Sequence, residues 1–272
     1  MKKIIALVLA MLMMFSLAAC GGNTDAEKTT APDVATNTDA DSDLAYIKGK
    51  GTLIVGITDY APMDYKEAGS DEWIGFDADF ARATAEKLGV TVEFIEIDWD
   101  SKFYELKAKT IDCIWNGMTI TDEALTQSSV SNPYVKNAQV VVMAADKLAD
   151  YATVESLADL EFAAEAGSAG EKAITDNGLT CTAVLTQADA LREVKSGAVD
   201  ACVIDITMAN AMTGEGTSYA DLGYALELTT EEYGIAFRQD SDVTAAVNEI
   251  MAELKADGTL QGLADKYELT LA

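Results

Sequence analysis

Apolar and polar residues follow two patterns along the chain, alternation in short runs and a helical repeat in longer ones. The first series of predicted elements is strand, helix, strand, helix, strand, at residues 52–57, 76–88, 90–97, 102–109 and 111–115. Gly89 stands just past the first helix, where a glycine commonly ends one. This βαβαβ order predicts a parallel sheet.

The same order of elements starts again in the second half of the chain. Strands are predicted at 162–165, 180–185 and 199–204, and helices at 171–177 and 188–196. Further strands are predicted at 138–144 and 233–238, and further helices at 242–257 and 260–267. Two similar α/β units with two chain crossings between them predict two lobes joined by a two-segment hinge.

The N-terminal residues have the pattern of an export signal. Residues 1–3 include two lysines, residues 4–19 are apolar, and small residues precede Cys20. We therefore predict a secretory signal peptide at residues 1–19. Its apolar run is shorter than the roughly 20 residues that a membrane-spanning helix needs. Residues 17–20 are similar to the bacterial lipobox, in which the cysteine is acylated; the alternative is an ordinary signal peptide that ends in small residues.

Residues 20–43 contain almost no large apolar side chain. Such a segment cannot bury enough surface to offset the entropy of ordering, so we predict a flexible tether, with the folded part starting near Leu44. The formal net charge of the chain is -27 at pH 7. This acidity argues against nucleic acid or anionic lipid as a partner.

The sequence contains no histidine, which excludes histidine-based triads and histidine metal ligands. Cys113, Cys181 and Cys202 are predicted to be buried free thiols, although export would permit a disulfide. Their spacing matches no zinc pattern. We expect neither a metal nor a cofactor.

Seven landmarks in register carry a family resemblance that extends from about Leu44 to the C-terminus. They include Gly-Phe-Asp-Ala-Asp at 75–79 and Gly-Met-Thr-Ile-Thr within 111–121, and the others fall at 99–106, 131–134, 167–168, 199–205 and 257–267. The sequence resembles the family 3 extracellular solute-binding proteins of polar amino acid importers. The resemblance implies the type II periplasmic-binding-protein fold, in which two Rossmann-like lobes enclose the ligand. Lobe 1 would comprise residues 44–134 and 233–272, and lobe 2 residues 135–232.

The resemblance also implies the residues that hold the ligand's ammonium group. These are the carbonyl of Gly117 and the hydroxyl of Thr119 in lobe 1, and the carboxylate of Asp205 in lobe 2. An amine that leaves water needs an opposite charge and several acceptors. The alternative for Asp205 is a helix cap after a strand. Tyr60 and Trp99 match positions of aromatic side chains that contact the ligand, although Trp99 could instead only shield the core of its lobe.

The loop at residues 167–170 opens a helix, where amide groups favour an anion, and the resemblance implies that Ser168 and Ala169 bind the ligand's α-carboxylate. The sequence departs from the family pattern at two positions. Ala124 stands where the family typically has an arginine that clamps the carboxylate, and Ala169 lacks a hydroxyl. Lys102 and Lys136 are the nearest basic residues in sequence.

Glu165 falls near a position that can contact the ligand's side chain. Together with Asp59 and Asp205 it would make the site acidic, and our hypothesis is a ligand with more positive than negative charge, such as a basic amino acid or another amine. The alternative is that Asp59 and Glu165 are solvated or cap helices.

We therefore expect a monomeric substrate-binding lipoprotein of an ABC importer, anchored at the extracytoplasmic face of the membrane through Cys20. Its partners would be a small-molecule ligand and the permease subunits, with no nucleic acid and no catalysis. The alternatives are an extracellular sensor or binding protein for a cationic amine that is not an amino acid, and a dehydratase-like enzyme on the same fold.

Overall fold

The computed structural model of the protein describes residues 42–272, and for Ala225 the backbone only. The predicted signal peptide, Cys20 and the tether up to residue 41 lie outside the described residues. The helices are α1 (Asp43–Lys50), α2 (Phe76–Leu88), α3 (Lys102–Lys107), α4 (Asp122–Gln127), α5 (Ala169–Asp176), α6 (Gln187–Ser196), α7 (Ile206–Met212), α8 (Val243–Ala256) and α9 (Thr259–Lys266).

The strands are mostly short. They are β1 (Thr52–Ile57), β2 (Thr91–Glu96), β3 (Cys113–Ile114), β4 (Ser129–Val130), β5 (Val135–Asn137), β6 (Gln139–Ala144), β7 (Phe162–Glu165), β8 (Cys181–Val184), β9 (Ala201–Asp205), β10 (Leu222–Glu227), β11 (Glu231–Tyr233) and β12 (Ala236–Phe237). Short 3-10 turns lie at Trp99–Ser101, Ala145–Asp150 and Val154–Leu157. No helix in this part of the chain is long and apolar enough to cross a membrane.

The apolar periodicity explains the best-predicted elements. In α2, Phe76, Phe80 and Leu88 lie on one buried face at helical spacing. Gly89 ends this helix in the left-handed conformation and donates its amide to the last carbonyls. In β1 the side chains of Leu53, Val55 and Ile57, which project to one face of the strand, are all buried. The predicted bounds of both elements are confirmed.

The strands form two five-stranded sheets. The first has the order β2-β1-β3-β12-β4, with β1 parallel to both β2 and β3. The second has the order β10-β6-β9-β7-β8, with β7 parallel to both β8 and β9. The parallel pairs come from the two predicted βαβ series, and antiparallel strands complete each sheet.

A two-stranded ribbon connects the sheets. β5 leads from the first sheet to the second, and β11 leads back. The two strands pair antiparallel, with Asn137 opposite Glu231 and Val135 opposite Tyr233. Each crossing of the chain is therefore hydrogen-bonded to the other.

Several elements differ from the sequence predictions. The strand predicted at 233–238 divides into the end of β11 and β12, because the chain leaves the ribbon at Gly234 and joins the first sheet. The sequence pattern did not predict α1, α4 and α7, which have 8, 6 and 7 residues and are too short to display a clear helical repeat. The fold also begins slightly before Leu44, because Ser42 caps α1 with its side chain.

The three cysteines of the described chain are free thiols, as predicted. Cys113 and Cys202 are buried in strands of different sheets, and burial raises the pKa of both thiols. Cys181 is only partly buried, because it lies in β8 at the edge of the second sheet. Its predicted full burial is therefore wrong.

A buried ion network attaches α1 to the first sheet. Arg238 binds the carboxylate of Asp43 at 2.9 Å and lies 3.4 Å from Asp112, whose side chain is fully buried. Lys50 approaches the other oxygen of Asp112 at 2.5 Å, and the backbone amide of Ile54 donates to it at 2.8 Å. The carboxylate of Asp112 thus links α1, β1 and the end of β12.

We expect Asp112→Asn to lower the free energy of unfolding by about 3 kcal/mol, since it removes the buried anion between Lys50 and Arg238 and leaves Arg238 with Asp43 alone. Urea unfolding followed by circular dichroism measures this change. Asp146→Asn makes the same substitution at an exposed position and should change the free energy by less than about 0.5 kcal/mol. Equal effects of the two substitutions would contradict the role of the network.

Candidate functional site

A cavity of about 480 Å³ lies between loops of the first sheet and loops of the second. This volume is in the range of sites that hold small molecules. All eight residues that the sequence predicts to contact a ligand line it, namely Tyr60, Trp99, Gly117, Thr119, Glu165, Ser168, Ala169 and Asp205. The fold thus brings together side chains from widely separated parts of the chain, and their contact with a ligand stays a prediction.

Gly117 occupies a position that only glycine fits. Its φ of 54° is left-handed, and a Cβ atom would lie 2.6 Å from Cε1 of Tyr60. Its amide donates to Oδ2 of Asp77 at 2.6 Å, and burial raises the pKa of this carboxyl to about 7. Asp77 belongs to the landmark at 75–79, which therefore fixes the Gly117 turn. Within the described chain the carbonyl oxygen of Gly117 accepts no hydrogen bond.

Thr119 has its hydroxyl oriented by a carboxylate. The hydroxyl donates to Oε1 of Glu231 at 2.8 Å. Because its proton is used there, the oxygen lone pairs of Thr119 remain to accept hydrogen bonds from a donor in the cavity. Thr119 and Gly117 thus offer two acceptors from one loop.

Asp205 ends β9 and precedes α7, and its side chain is almost fully buried. It is the N-cap residue by position, but its side chain makes no cap hydrogen bond. Four side-chain donors contact its carboxylate instead: the hydroxyl of Tyr233 (2.8 Å), Nε2 of Gln139 (2.9 Å) and Nδ2 of Asn137 on Oδ1, and Nε2 of Gln187 (2.5 Å) on Oδ2. A carboxylate oxygen accepts about two hydrogen bonds, so Oδ2 keeps capacity for one more donor.

Glu165 ends β7 and is 2% exposed. Its Oε1 has no hydrogen-bond partner among the described residues, although it is buried. Burial raises the pKa of Glu165 to about 8, the carboxylate of Asp205 adds to the rise, and Lys102 opposes it. Burial likewise raises the pKa of Asp205 to about 7, with Glu231 as the second cause. A buried acceptor without a partner is costly, so Glu165 is suited to receive a cationic group.

The two predicted aromatic residues have additional contacts. The hydroxyl of Tyr60 bonds to Oγ1 of Thr207 in α7 at 2.5 Å and to the hydroxyl of Tyr233. Trp99 is 7% exposed and belongs to the same buried apolar cluster as Leu106, and it also lines the cavity. Trp99 therefore both shields the core and forms the cavity wall.

The loop before α5 presents backbone donors to the cavity. The amide of Gly167 donates to Oε2 of Glu171 at 2.8 Å, and the hydroxyl oxygen of Ser168 accepts from the amide of Glu171 at 3.1 Å. The amides of Ala169 and Gly170 donate to no acceptor among residues 42–272. Ser168 and Ala169 line the cavity, so the loop can offer the amide of Ala169 and the hydroxyl proton of Ser168 to an anion.

Of three further charged residues considered in the sequence analysis, one lines the cavity and two do not. Lys102 lines the cavity, whereas Lys136 is exposed and lines a different one. Asp59 is exposed and lies outside the cavity lining, so its expected contribution to an acidic site is wrong. Its side chain extends from the loop that follows β1, where solvent reaches it.

Sequence reasoning missed the residues that support Asp205. Asn137 and Gln139 each donate a hydrogen bond to Asp205. Each also donates to Oε1 of Glu231, Asn137 at 2.7 Å and Gln139 at 2.8 Å. The sequence did contain a signal for these two residues, because polar side chains two positions apart in an extended segment project to the same face. Among the described residues, no group of three or more His, Cys, Asp or Glu side chains is arranged to hold a metal ion.

The protein has two α/β units, each built on its own sheet, and a ribbon that connects them. The cavity between them has unused donors and acceptors, which is typical of a protein that binds a small molecule between two lobes. The family model of the bacterial extracellular solute-binding proteins, family 3, matches residues 53–270, and the chain belongs to this family. Its fold is the two-lobed type II periplasmic-binding-protein fold.

Characterised relatives of the chain bind different amino acids. The arginine-binding extracellular protein ArtP of Bacillus subtilis (strain 168) is 31% identical over 98% of both chains. The L-cystine-binding protein TcyA of the same organism is 30% identical over 98% of this chain and 97% of its own. A crystal structure of a mutant of ArgBP from T. maritima is 31% identical, with a TM-score of 0.77 over 83% of this chain and 98% of that one.

The raised pKa of Glu165 predicts how the stability of the ligand-free protein depends on pH. Its ordinary value is 4.5 and its value in the fold is about 8. Its contribution to stability is therefore complete below pH 4.5 and is lost as the pH rises through 8. We expect the melting temperature to fall over this interval, and Glu165→Gln to make the fall less steep.

Thermal melting at a series of pH values tests this expectation. Glu67→Gln, at an exposed position outside the cavity lining, is the matched control and should leave the slope unchanged. Asp77 and Asp205 contribute in the same direction, so the slope in Glu165→Gln decreases without vanishing. An unchanged slope in Glu165→Gln would contradict the burial of a protonated carboxyl there.

Proposed function

We propose that the protein captures an amino acid with a positively charged side chain between its lobes and delivers it to the permease of an ABC importer. The observation that carries the proposal is the buried carboxyl of Glu165, which lines the cavity with one oxygen unpartnered. Together with Asp205 it gives the cavity two buried acidic groups.

The acceptors near Asp205 fit the ligand's ammonium group. An ammonium has three N–H donors. Oδ2 of Asp205, the carbonyl oxygen of Gly117 and the hydroxyl oxygen of Thr119 all keep acceptor capacity. A charged donor and a buried carboxylate also form a stronger hydrogen bond than two neutral groups do.

The second acidic group supports a cationic side chain. Glu165 is a separate carboxyl from Asp205, so a ligand with one amine would leave it without a partner. Tyr60 and Trp99 line the same cavity and can cover the apolar stem of a long side chain. Sequence similarity alone does not select the ligand, because an arginine-binding and a cystine-binding relative are nearly equally identical to this chain. The acidic groups of the cavity favour a cationic amino acid such as arginine.

Ligand capture would proceed by closure of the lobes about the ribbon of β5 and β11. On this proposal lobe 1 is residues 44–134 and 233–272, and lobe 2 is residues 135–232. The bond from Nζ of Lys102 to the carbonyl of Gly167 (2.9 Å) and that from Tyr60 to Thr207 cross between them. A ligand that contacts both lobes stabilises the closed form by its differential affinity.

Binding without chemistry is part of the proposal. A sensor, or a receptor for an amine without a carboxylate, would use the same lobes, and a calorimetric panel that includes polyamines distinguishes the latter. A dehydratase-like enzyme would convert its ligand, so recovery of the ligand unchanged after prolonged incubation separates a binder from an enzyme.

We expect L-arginine to bind more tightly than L-citrulline, which has nearly the same shape but no side-chain charge. Glu165→Gln should weaken L-arginine binding about tenfold and leave L-citrulline binding nearly unchanged, because a charge-assisted hydrogen bond contributes about 1.5 kcal/mol or more. Titration calorimetry measures both affinities. Glu67→Gln is again the control. Tighter binding of L-glutamate than of L-arginine would refute the cationic ligand.

The lipid anchor is a separate prediction from residues 17–20. We expect the exported protein to incorporate labelled fatty acid and to stay with the membrane fraction. Cys20→Ser should abolish the label and release the protein from the membrane. Labelling that persists in this variant would contradict acylation at Cys20.

A further inference from the structure

Lys102 is a buried cation without a carboxylate partner. Lys102 is the first residue of α3 and is 7% exposed. Its Nζ donates to the carbonyls of Trp99 at 3.1 Å and Gly167 at 2.9 Å. Lys102 takes part in none of the ion pairs formed within residues 42–272. An ammonium has three N–H donors, so one of them remains unused.

Lys102 is also one of the residues that line the cavity. Lys102 lines the cavity together with Ala124, whose short side chain stands where the family typically has an arginine. Its bond to Gly167 holds the ammonium at the loop whose amides at Ala169 and Gly170 are unused. The cation and the amide of Ala169 therefore lie at the same end of the cavity.

We infer that Lys102 binds the ligand's carboxylate in place of the arginine that is absent at position 124. The inference rests on the proposed function, since it requires a ligand that carries a carboxylate. With Lys102 included, the cavity has one buried cation and the two acidic groups Glu165 and Asp205. This set complements one carboxylate, one ammonium and one side-chain cation, which is the charge set of a basic amino acid.

The surroundings of Lys102 explain why an anion is favoured there. Burial lowers the pKa of its ammonium, because the charged form loses solvation. The carboxylates of Glu123, Glu165 and Asp100 raise it again, but none of them contacts Nζ as an ion pair. A ligand carboxylate supplies the missing contact. A carboxylate bound to Lys102 would also lie beside the Lys102–Gly167 bond, which joins the two lobes. Binding of the carboxylate therefore favours the closed form.

The experiment compares each protein with two ligands by titration calorimetry. The first is the amino acid that binds best, L-arginine on the present proposal, and the second is the same compound without its carboxylate, agmatine. Lys102→Met removes the charge and keeps most of the side-chain length. We expect this variant to lose about tenfold to a hundredfold more affinity for L-arginine than for agmatine, because loss of the bond to Gly167 affects both ligands and loss of the carboxylate contact affects only L-arginine.

Lys107→Met is the matched control, because Lys107 lies in the same helix as Lys102, is exposed and lies outside the cavity lining. It should leave both affinities unchanged. Equal losses for the two ligands in Lys102→Met, or no loss, would overturn the inference. A preference for L-arginine over agmatine of less than twofold in the unaltered protein would overturn it without any variant. If the unaltered protein binds no amino acid, the proposed function itself fails, and the inference with it.

Discussion

A buried carboxylate must be surrounded by donors, and Asp205 takes its donors from several distant segments. Asn137 comes from β5, Tyr233 from β11, and Gln187 from α6. The ribbon that connects the sheets and the end of the second sheet are thereby held around one side chain. The same ribbon carries Glu231, which orients Thr119 toward the cavity. The geometry of this end of the cavity therefore depends on the need to satisfy Asp205.

The cavity combines opposite charges without pairing them internally. Glu165 retains an unpartnered oxygen, and Lys102 retains an unused donor, although the two lie close enough to affect each other's pKa. Two internally paired groups would compete with a ligand for their own contacts. Buried groups that stay unpaired would instead gain their partners from a ligand, which gives a binding protein both affinity and discrimination.

Much of the site was predictable because its residues follow strands. Asp205 and Glu165 end β9 and β7, and the ends of parallel strands meet at one edge of a sheet. The side chains that support them were not predictable from the landmarks, because Asn137 and Gln139 lie in antiparallel segments whose partners are set by the ribbon. The prediction that Asp59 contributes to an acidic cavity was wrong for a different reason. Asp59 follows a strand, but its side chain is exposed to solvent.

By itself, the sequence determined the order and type of the main elements through local periodicity, and its resemblance to the family predicted the polar residues that line the cavity. Only the tertiary structure decided which charges are buried and which remain unpaired. Burial depends on contacts between segments far apart in the chain, as the bond between Lys102 and Gly167 illustrates. The absence of the arginine at Ala124 could be read from the sequence, whereas the cation in the same cavity could not.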